Sequence, residues 1–485
     1  MSRIGRMRRS RFLASSIGVT CAAALALPAA LPATASAATP TDSSSAAVHT
    51  LARSSTPTRP LALAPVPGST QSLPLVPLGV DRSLGPAAPE QGLGKRDVRS
   101  FSLVGVVWDN PDAELEGRVQ VRTRSTDTAR WSGWQDVETH NHEHAADPDT
   151  AERSSGRVRG STAPLWVGDS DGVEVRVRAE TRGRTAAPGV QLLPDGLRLE
   201  LVDPGVGAPD GAAGPAAATG AAHSAEPPPV GTVDAPRLGA LTVESAAASA
   251  VNADLAPLGS TAIPALSRKE TVERLATAVP GAKPYIGPRP RIVTRAGWGA
   301  DEKLRERDFR YTKRVSAAFV HHTASGNNYK CAQAASVIRS IYRYHVVSSG
   351  WRDIGYNFLV DKCGNIYEGR AGGVAKPVMG AHTLGFNTNS MGVAVIGSFG
   401  STKPPAATVK AIAQLTAWKL GLYGANPKGK TYLTSGGGNL YPKGKKVRLN
   451  VISGHRDGFA TECPGGRLYG KLGTARSEAA RLQGR

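Results

Sequence analysis

Apolar and polar residues alternate along short segments in the first half of the chain. Val119 and Val121 flank Gln120, and a longer alternation of Val with charged residues runs over 173–178. Such alternation places apolar groups on one face of a half-buried strand. The segments with this texture are 100–108, 117–123, 172–179 and 196–201. The pattern predicts a small all-β domain of antiparallel strands, arranged like a sandwich.

From residue 288 onward the pattern predicts both strands and helices. The apolar runs 315–321 and 391–399 indicate buried strands, and 355–360 with 365–368 indicate a hairpin. Segments 331–347 and 406–423 repeat apolar residues at helical spacing. We therefore predict an α/β domain in which helices cover one sheet.

The composition changes between these regions. Residues 38–97 are rich in Ser, Thr, Pro and Ala, and residues 206–287 are rich in Ala, Pro and Gly apart from a short helical pattern near 267–276. Such segments bury too little apolar surface to fold alone. The predicted division is a signal peptide (1–37), a flexible leader (38–97), a β-rich accessory domain (98–205), a linker (206–287) and a C-terminal domain (288–485).

The N-terminus has the pattern of a cleaved export signal. Basic residues without an acid precede an apolar stretch at 12–31, and an A-x-A site follows at 35–37. A membrane anchor is disfavoured because Pro28 and Pro32 interrupt the apolar stretch. We expect export by either the general or the twin-arginine route and cleavage after Ala37. The secreted protein then has no stable membrane span.

The net charge of +20 is concentrated in the C-terminal domain. From residue 291 onward there are roughly 30 Lys and Arg against roughly 10 Asp and Glu. A basic domain outside the cell favours polyanionic partners such as anionic wall polymers. Nucleic acid is disfavoured, because export removes most such targets and no nucleic-acid motif is present.

Three cysteines remain once the signal peptide, with Cys21, has been removed. They are Cys331, Cys363 and Cys463. An odd number in an oxidising compartment indicates intermolecular pairing, a free reactive thiol or a metal ligand.

Two groups in the β-rich region leave alternatives open. Trp131, Trp134 and Trp166 suit either a sugar-stacking platform or packing, and packing is favoured. A second group, His140, His142 and His144, recurs at a spacing of two. These histidines lie in a polar stretch, so we expect a solvated loop there rather than a metal site.

The C-terminal domain carries residues suited to hydrolytic zinc chemistry. A catalytic zinc needs three N, S or O ligands and an open fourth position, and two imidazoles with one thiolate meet that need. The motifs concerned are His321-His322-Thr323, Gly355-Tyr356-Asn357-Phe358, Gly380-Ala381-His382, Gly454-His455-Arg456-Asp457 and Thr461-Glu462-Cys463-Pro464-Gly465.

These motifs resemble the catalytic domain of peptidoglycan recognition proteins and phage amidase-type lysozymes. Further motifs that carry the resemblance are Arg295-Ala296-Gly297-Trp298-Gly299-Ala300, Tyr367-Glu368-Gly369-Arg370 and Met391-Gly392-Val393. Together the motifs span about 180 residues, and the β-rich region resembles accessory domains of actinobacterial relatives. The resemblance implies a central mixed β-sheet with covering helices. It also implies a secreted, wall-associated zinc amidase that cleaves peptidoglycan between N-acetylmuramic acid and L-alanine.

Carried over residue by residue, the family's zinc ligands fall on His321, His455 and Cys463. Neighbouring side chains of a strand point to opposite faces, so His322 does not share the metal with His321. The family's two donors to the tetrahedral oxyanion, which serve as catalytic residues, fall on Tyr356 and Thr461. With Cys463 on zinc, Cys331 and Cys363 are left to form a disulfide in an oxidising compartment.

The sequence departs from the family's pattern after Arg370. Many relatives continue with Gly-Trp, whereas residues 371–379 differ, which leaves the stem-peptide preference open. The main rival is a non-catalytic protein that binds peptidoglycan on the same fold. Binding-only relatives typically replace the cysteine ligand, and this chain keeps Cys463. A third interpretation is an adhesin or structural wall protein led by the β-rich region.

Overall fold

The structure, a computed structural model, describes residues 67–78, 90–180, 193–206, 241–278 and 285–485. These residues all belong to one compact unit. The expected signal peptide and most of the expected leader lie outside the described residues. Among the residues within these ranges, no helix has the length and apolarity needed to cross a membrane.

The first part of the described chain is an all-β domain, as predicted. The strands are β1 Ser69–Pro74, β2 Val76–Pro77, β3 Glu90–Trp108, β4 Gly117–Ser125, β5 Gln135–Val137, β6 Gly160–Ser161, β7 Leu165–Ala179 and β8 Arg198–Asp203. They pair antiparallel in the order β1-β8-β3-β7-β4-β5, with β2 and β6 also pairing with β3. Along β4, Val119 and Val121 are buried while their neighbours are partly or fully exposed, so the alternation seen in the sequence selects the core face.

The all-β domain begins before the boundary expected at residue 98. Strand β1, the short β2 and the start of β3 all lie in the range expected to be a flexible leader. Ser69–Pro74 shows no apolar alternation in its sequence. It forms a strand because its backbone pairs with β8 over six successive positions.

The C-terminal domain is built on a seven-stranded mixed sheet, which confirms the predicted α/β class. Its strands are β9 Ala262–Ile263, β10 Ile292–Val293, β11 Ala317–His322, β12 Phe358–Val360, β13 Ile366–Glu368, β14 Ser390–Val395 and β17 Ile452–Gly454, and β15 Lys430–Thr434 with β16 Lys446–Asn450 forms a separate ribbon. The order in the sheet is β17-β11-β14-β12-β13-β10-β9. Four strands, β17, β11, β14 and β12, run parallel to one another, and β12 forms the predicted hairpin with β13.

Helices cover this sheet at the three segments where helical spacing predicted them and at four further segments of the described chain that were not predicted. The helices are α1 Val243–Ala250, α2 Arg268–Ala278, α3 Arg295–Trp298, α4 Ala334–Arg343, α5 Ala406–Gly421, α6 Gly466–Tyr469 and α7 Leu472–Gln483. A 3-10 turn, Cys331–Gln333, precedes α4, and a π-helical turn, Tyr344–Ser348, follows it. Helix α2 matches the short helical pattern, so part of the expected linker is ordered and packs on the C-terminal domain.

The predicted disulfide between Cys331 and Cys363 is present, with 6.2 Å between the two Cα atoms. It joins the turn before α4 to the turn of the β12–β13 hairpin. Tyr356 lies within the 32-residue separation that the bond spans. The disulfide therefore constrains the segment that leads into this hairpin.

The two domains share a continuous apolar core. Leu103 and Trp166 of the all-β domain pack in one buried cluster with Ile338 and Tyr344 of the C-terminal domain. The Tyr344 hydroxyl donates a hydrogen bond to the Thr162 carbonyl at 3.1 Å. Burial of this apolar surface fixes the all-β domain against helix α4. The packing role favoured for Trp166 is confirmed.

Candidate metal centre

Two adjacent parallel strands deliver histidines to the same edge of the sheet. Val320 of β11 pairs with Gly454 of β17, so His321 and His455 are the next residues in register. Cys463 returns to this edge because the Arg456 N–H donates to its carbonyl at 3.1 Å. The three ligands carried over from the family therefore meet at the carboxyl ends of the strands.

A fourth residue joins them from the all-β domain. One potential ligand atom each from His144, His321, His455 and Cys463 lies within 4.8 Å of all the others. The Cys463 Sγ is 3.6 Å from His144 Nε2 and 3.8 Å from His321 Nδ1. All four side chains are buried, and His144, the most exposed, is only 5% exposed.

The expectation of a solvated loop at the three spaced histidines is therefore wrong for His144. His140 is exposed and His142 half-buried, but His144 enters the cluster. The sequence alone did not indicate this, because His144 meets Cys463 across a separation of 319 residues. The available signal was the rare run of three histidines at a spacing of two.

The distances within the cluster fit a shared metal ion. Zn–S and Zn–N bonds of about 2.3 and 2.05 Å, at a tetrahedral angle, separate the sulfur from a nitrogen by about 3.6 Å. Neither ring nitrogen of the buried His455, nor Nδ1 of His144, has a hydrogen-bond partner within the described part of the chain. Buried polar atoms without a partner call for an explanation such as a bound ion. Three imidazoles and one thiolate are a donor set that zinc prefers.

The electrostatics of the cluster also suit a cation. Burial lowers the pKa of His144, His321 and His455 well below the usual value, so these imidazoles are neutral and able to ligate. Burial raises the pKa of the Cys463 thiol well above its usual value. A bound divalent cation reverses that preference, because a coordinating thiol is deprotonated.

Further histidines lie behind the cluster. His382 Nδ1 is 3.3 Å from His321 Nε2, and its own position is fixed by Thr383 at 3.0 Å. Ligating histidines commonly hold their second nitrogen in such a contact, which sets the orientation of the ring. His322 instead accepts a hydrogen bond from the Phe399 N–H, consistent with its position on the opposite face.

Tyr356 and Thr461 border the cluster. The Tyr356 ring centroid lies 5.6 Å from that of His321 and 5.9 Å from that of His144. Burial raises the pKa of Tyr356 well above its usual value, so its phenol stays protonated. The Thr461 hydroxyl accepts a hydrogen bond from the Cys463 N–H at 3.1 Å and donates one to Glu143 at 2.7 Å.

Comparison with known proteins identifies a matching family for each domain. Residues 311–466 match the family described as N-acetylmuramoyl-L-alanine amidase. Residues 52–195 match the family described as Rv3811 N-terminal galactose-binding domain-like.

Individual relatives resemble the C-terminal domain. Peptidoglycan-recognition protein SC2 of Drosophila simulans is 33% identical over 185 residues, which cover 38% of this chain and 85% of that protein. A human N-acetylmuramoyl-L-alanine amidase is 31% identical over 190 residues, 38% of this chain and 28% of that protein. The structure of Drosophila PGRP-LB aligns with 26% identity over 38% of this chain and 93% of that one, with a TM-score of 0.30.

Proposed function

The chain belongs to the family of peptidoglycan recognition proteins and N-acetylmuramoyl-L-alanine amidases, and from this premise we propose that it is a secreted zinc hydrolase. Its substrate is bacterial peptidoglycan. The bond cleaved is the amide between N-acetylmuramic acid and the L-alanine of the stem peptide.

The convergence of His321, His455 and Cys463 carries this proposal. His321 lies 142 residues before Cys463 in the sequence, yet the ligand atoms of all three residues belong to one buried cluster. Two neutral imidazoles and one thiolate are a donor set suited to a catalytic zinc, which takes three protein ligands. When bound, the ion supplies Lewis-acid chemistry that activates water and polarises the amide carbonyl.

Two further side chains are suited to the transition state. The protonated phenol of Tyr356 can donate a hydrogen bond to the oxygen that gains negative charge during attack on the amide. The Thr461 hydroxyl is a second donor beside the cluster once it is released from Glu143. Donors fixed in a buried site act strongly because little water competes with them.

The chain's composition supports an extracellular site of action. The basic C-terminal domain suits the carboxylates and phosphates of a cell wall. The disulfide supports an oxidising compartment. We therefore propose wall association, with muramyl peptide as the substrate and anionic wall polymers as additional partners.

A protein that binds peptidoglycan without cleaving it is the alternative. Burial of the cluster and the presence of His144 as a fourth potential ligand favour that alternative, because closed four-ligand sites are typical of structural zinc. Retention of Cys463 together with both histidines favours the hydrolase.

The proposal is tested by the metal dependence of hydrolysis. Purified protein should contain one zinc per chain, and Cys463→Ala should lose zinc and activity together. The matched control for zinc content is the double variant Cys331→Ser/Cys363→Ser, which removes the other two mature cysteines, leaves the four cluster residues unchanged and should keep its zinc. Full zinc and full hydrolysis in Cys463→Ala would refute the ligand assignment.

A further inference from the structure

A long irregular loop of the all-β domain packs against the C-terminal domain. Residues 138–159, here called the closing loop, connect β5 to β6 and contain neither strand nor helix. Connections longer than roughly 12 to 15 residues without regular structure are uncommon and usually functional. The loop spans the distance from the domain interface to the metal cluster.

The closing loop buries polar side chains that a solvated loop would expose. Glu143, His144, Asp147 and Glu152 are each between 2% and 7% exposed. Burying such groups is costly unless each finds a partner. Each of the three carboxylates has a partner on the C-terminal domain, so the loop and that domain are complementary.

Two of the carboxylates anchor the closing loop to the C-terminal domain at positions outside the cluster. Asp147 accepts hydrogen bonds from the Gly385 N–H at 2.8 Å and from the Asn387 amide at 2.7 Å. Glu152 accepts a bidentate pair from the Arg370 guanidinium at 2.8 and 2.9 Å. Buried charge-assisted bonds of this kind are among the stronger polar contacts in proteins.

Between β5 and these carboxylates, the closing loop contacts a proposed metal ligand and both proposed oxyanion donors directly. His144 Nε2 lies as close to the Cys463 sulfur as two ligands of one tetrahedral zinc lie to each other. The neighbouring Glu143 accepts a hydrogen bond from the hydroxyl of Thr461, one of the two donors assigned to the oxyanion. The His144 ring also packs edge-on against Tyr356, the other donor.

We propose that His144 is the fourth protein ligand of the zinc and that the closing loop holds the enzyme in a latent state. This inference rests on the proposed function. A catalytic zinc needs an open position for water or substrate, and His144 fills it. Peptidoglycan is a polymer that cannot reach a cluster of side chains at most 5% exposed. Hydrolysis therefore requires the closing loop to withdraw.

The test uses cobalt in place of zinc, because Co²⁺ reports its ligands through its visible spectrum. Full-length wild type, His144→Ala and His140→Ala are loaded with Co²⁺ and titrated with azide, a small anion that binds an open metal position. His140 is the matched control because it is an exposed histidine of the same loop and lies outside the cluster. The spectra of wild type and His140→Ala should not respond to azide, and that of His144→Ala should.

Zinc affinity gives a second readout that is independent of activity. Competition with a chelator should show zinc at least about 10-fold weaker in His144→Ala than in His140→Ala, because one ligand has been lost. Glu152→Gln serves as a second variant that leaves all four cluster residues unchanged. It should raise the response to azide above that of wild type by weakening the hold of Arg370 on the loop.

Hydrolysis is measured separately on the same proteins. His144→Ala should cleave peptidoglycan at least about 10-fold faster than wild type, because a larger fraction of molecules is competent. Azide binding that is equal in wild type and His144→Ala would overturn the latent state, whatever the activity. If His144→Ala responds to azide as expected but no variant hydrolyses peptidoglycan, the role of His144 and the closing loop would stand and the amidase function would be refuted.

Discussion

Removal of the disulfide should destabilise the protein by an amount that the structure sets. The perturbation is the double variant Cys331→Ser/Cys363→Ser. Cys363 is exposed and Cys331 half-buried, so two serine hydroxyls at these positions remain accessible to water. The change therefore removes the covalent constraint without creating buried polar groups without partners.

The magnitude follows from the length of chain that the bond closes. For a sequence separation of 32, the chain-entropy relation gives a loss of about 3.7 kcal/mol in the free energy of unfolding. The constrained segment contains helix α4, which packs against the all-β domain, and Tyr356, which borders the cluster. Loosening it should lower activity as well as stability.

The assay is urea unfolding of wild type and the double variant, both equally loaded with zinc, because bound metal adds its own stabilisation. The free energies are compared by linear extrapolation, with the variant lower by about 3 to 4 kcal/mol. A loss below about 1 kcal/mol would refute the reasoning that the bond acts by restricting the unfolded chain. Detection of two free thiols at these positions in the native wild-type protein would contradict the pairing itself.

Three further predictions concern single residues. Tyr356→Phe, made in both the wild-type and the His144→Ala background, should lower turnover about 10- to 1,000-fold with zinc content unchanged, because it removes one oxyanion donor; an unchanged rate would leave Tyr356 a packing role only. Gly392→Ala should weaken zinc binding and lower the melting temperature, because its added Cβ would lie 2.4 Å from the ring of His382, which contacts His321; a metal affinity equal to that of wild type would contradict the positioning role of His382. Burial raises the pKa of Glu368 to about 7. Between pH 4.5 and about 7 the folded protein therefore binds more protons at Glu368 than the unfolded chain does, and the free energy of unfolding should fall as the pH rises. Relative to Glu368→Gln, wild type should lose about 3 kcal/mol of unfolding free energy across that range, and urea titrations of both proteins that stay parallel would refute the shift.

Local sequence pattern predicted the long strands β3, β4 and β7 and the helices α2, α4 and α5 because the relevant signals are short-range, but it missed short strands such as β9 and β10 and the helix α7. The apolar run that ends at His321 forms β11, and the helical spacing over 406–423 forms α5. Strand β1 was missed because Ser69–Pro74 has neither alternation nor β-branched content apart from Thr70. Only its pairing with β8, more than a hundred residues away, makes it a strand.

The candidate site likewise contains three residues that sequence motifs identify and one residue that they do not. His321, His455 and Cys463 lie in motifs whose order along the chain identifies the family, so they could be named before the structure. His144 could not, because nothing within the all-β region specifies that its loop reaches a cluster more than 170 residues further along the chain. The distance between His144 Nε2 and Cys463 Sγ depends on how the two domains dock, and docking rests on the shared apolar core.

The most direct test of the proposed function is mass spectrometry of the soluble products released from purified peptidoglycan. Wild type and His144→Ala are compared, with His144→Ala/Cys463→Ala as the control that lacks the thiolate. The amidase predicts peptides with a new L-alanine amino terminus and glycan strands with intact lactyl groups, in larger amount from His144→Ala and absent from the control. New reducing sugar ends, or no released peptide from any variant that holds zinc, would contradict it.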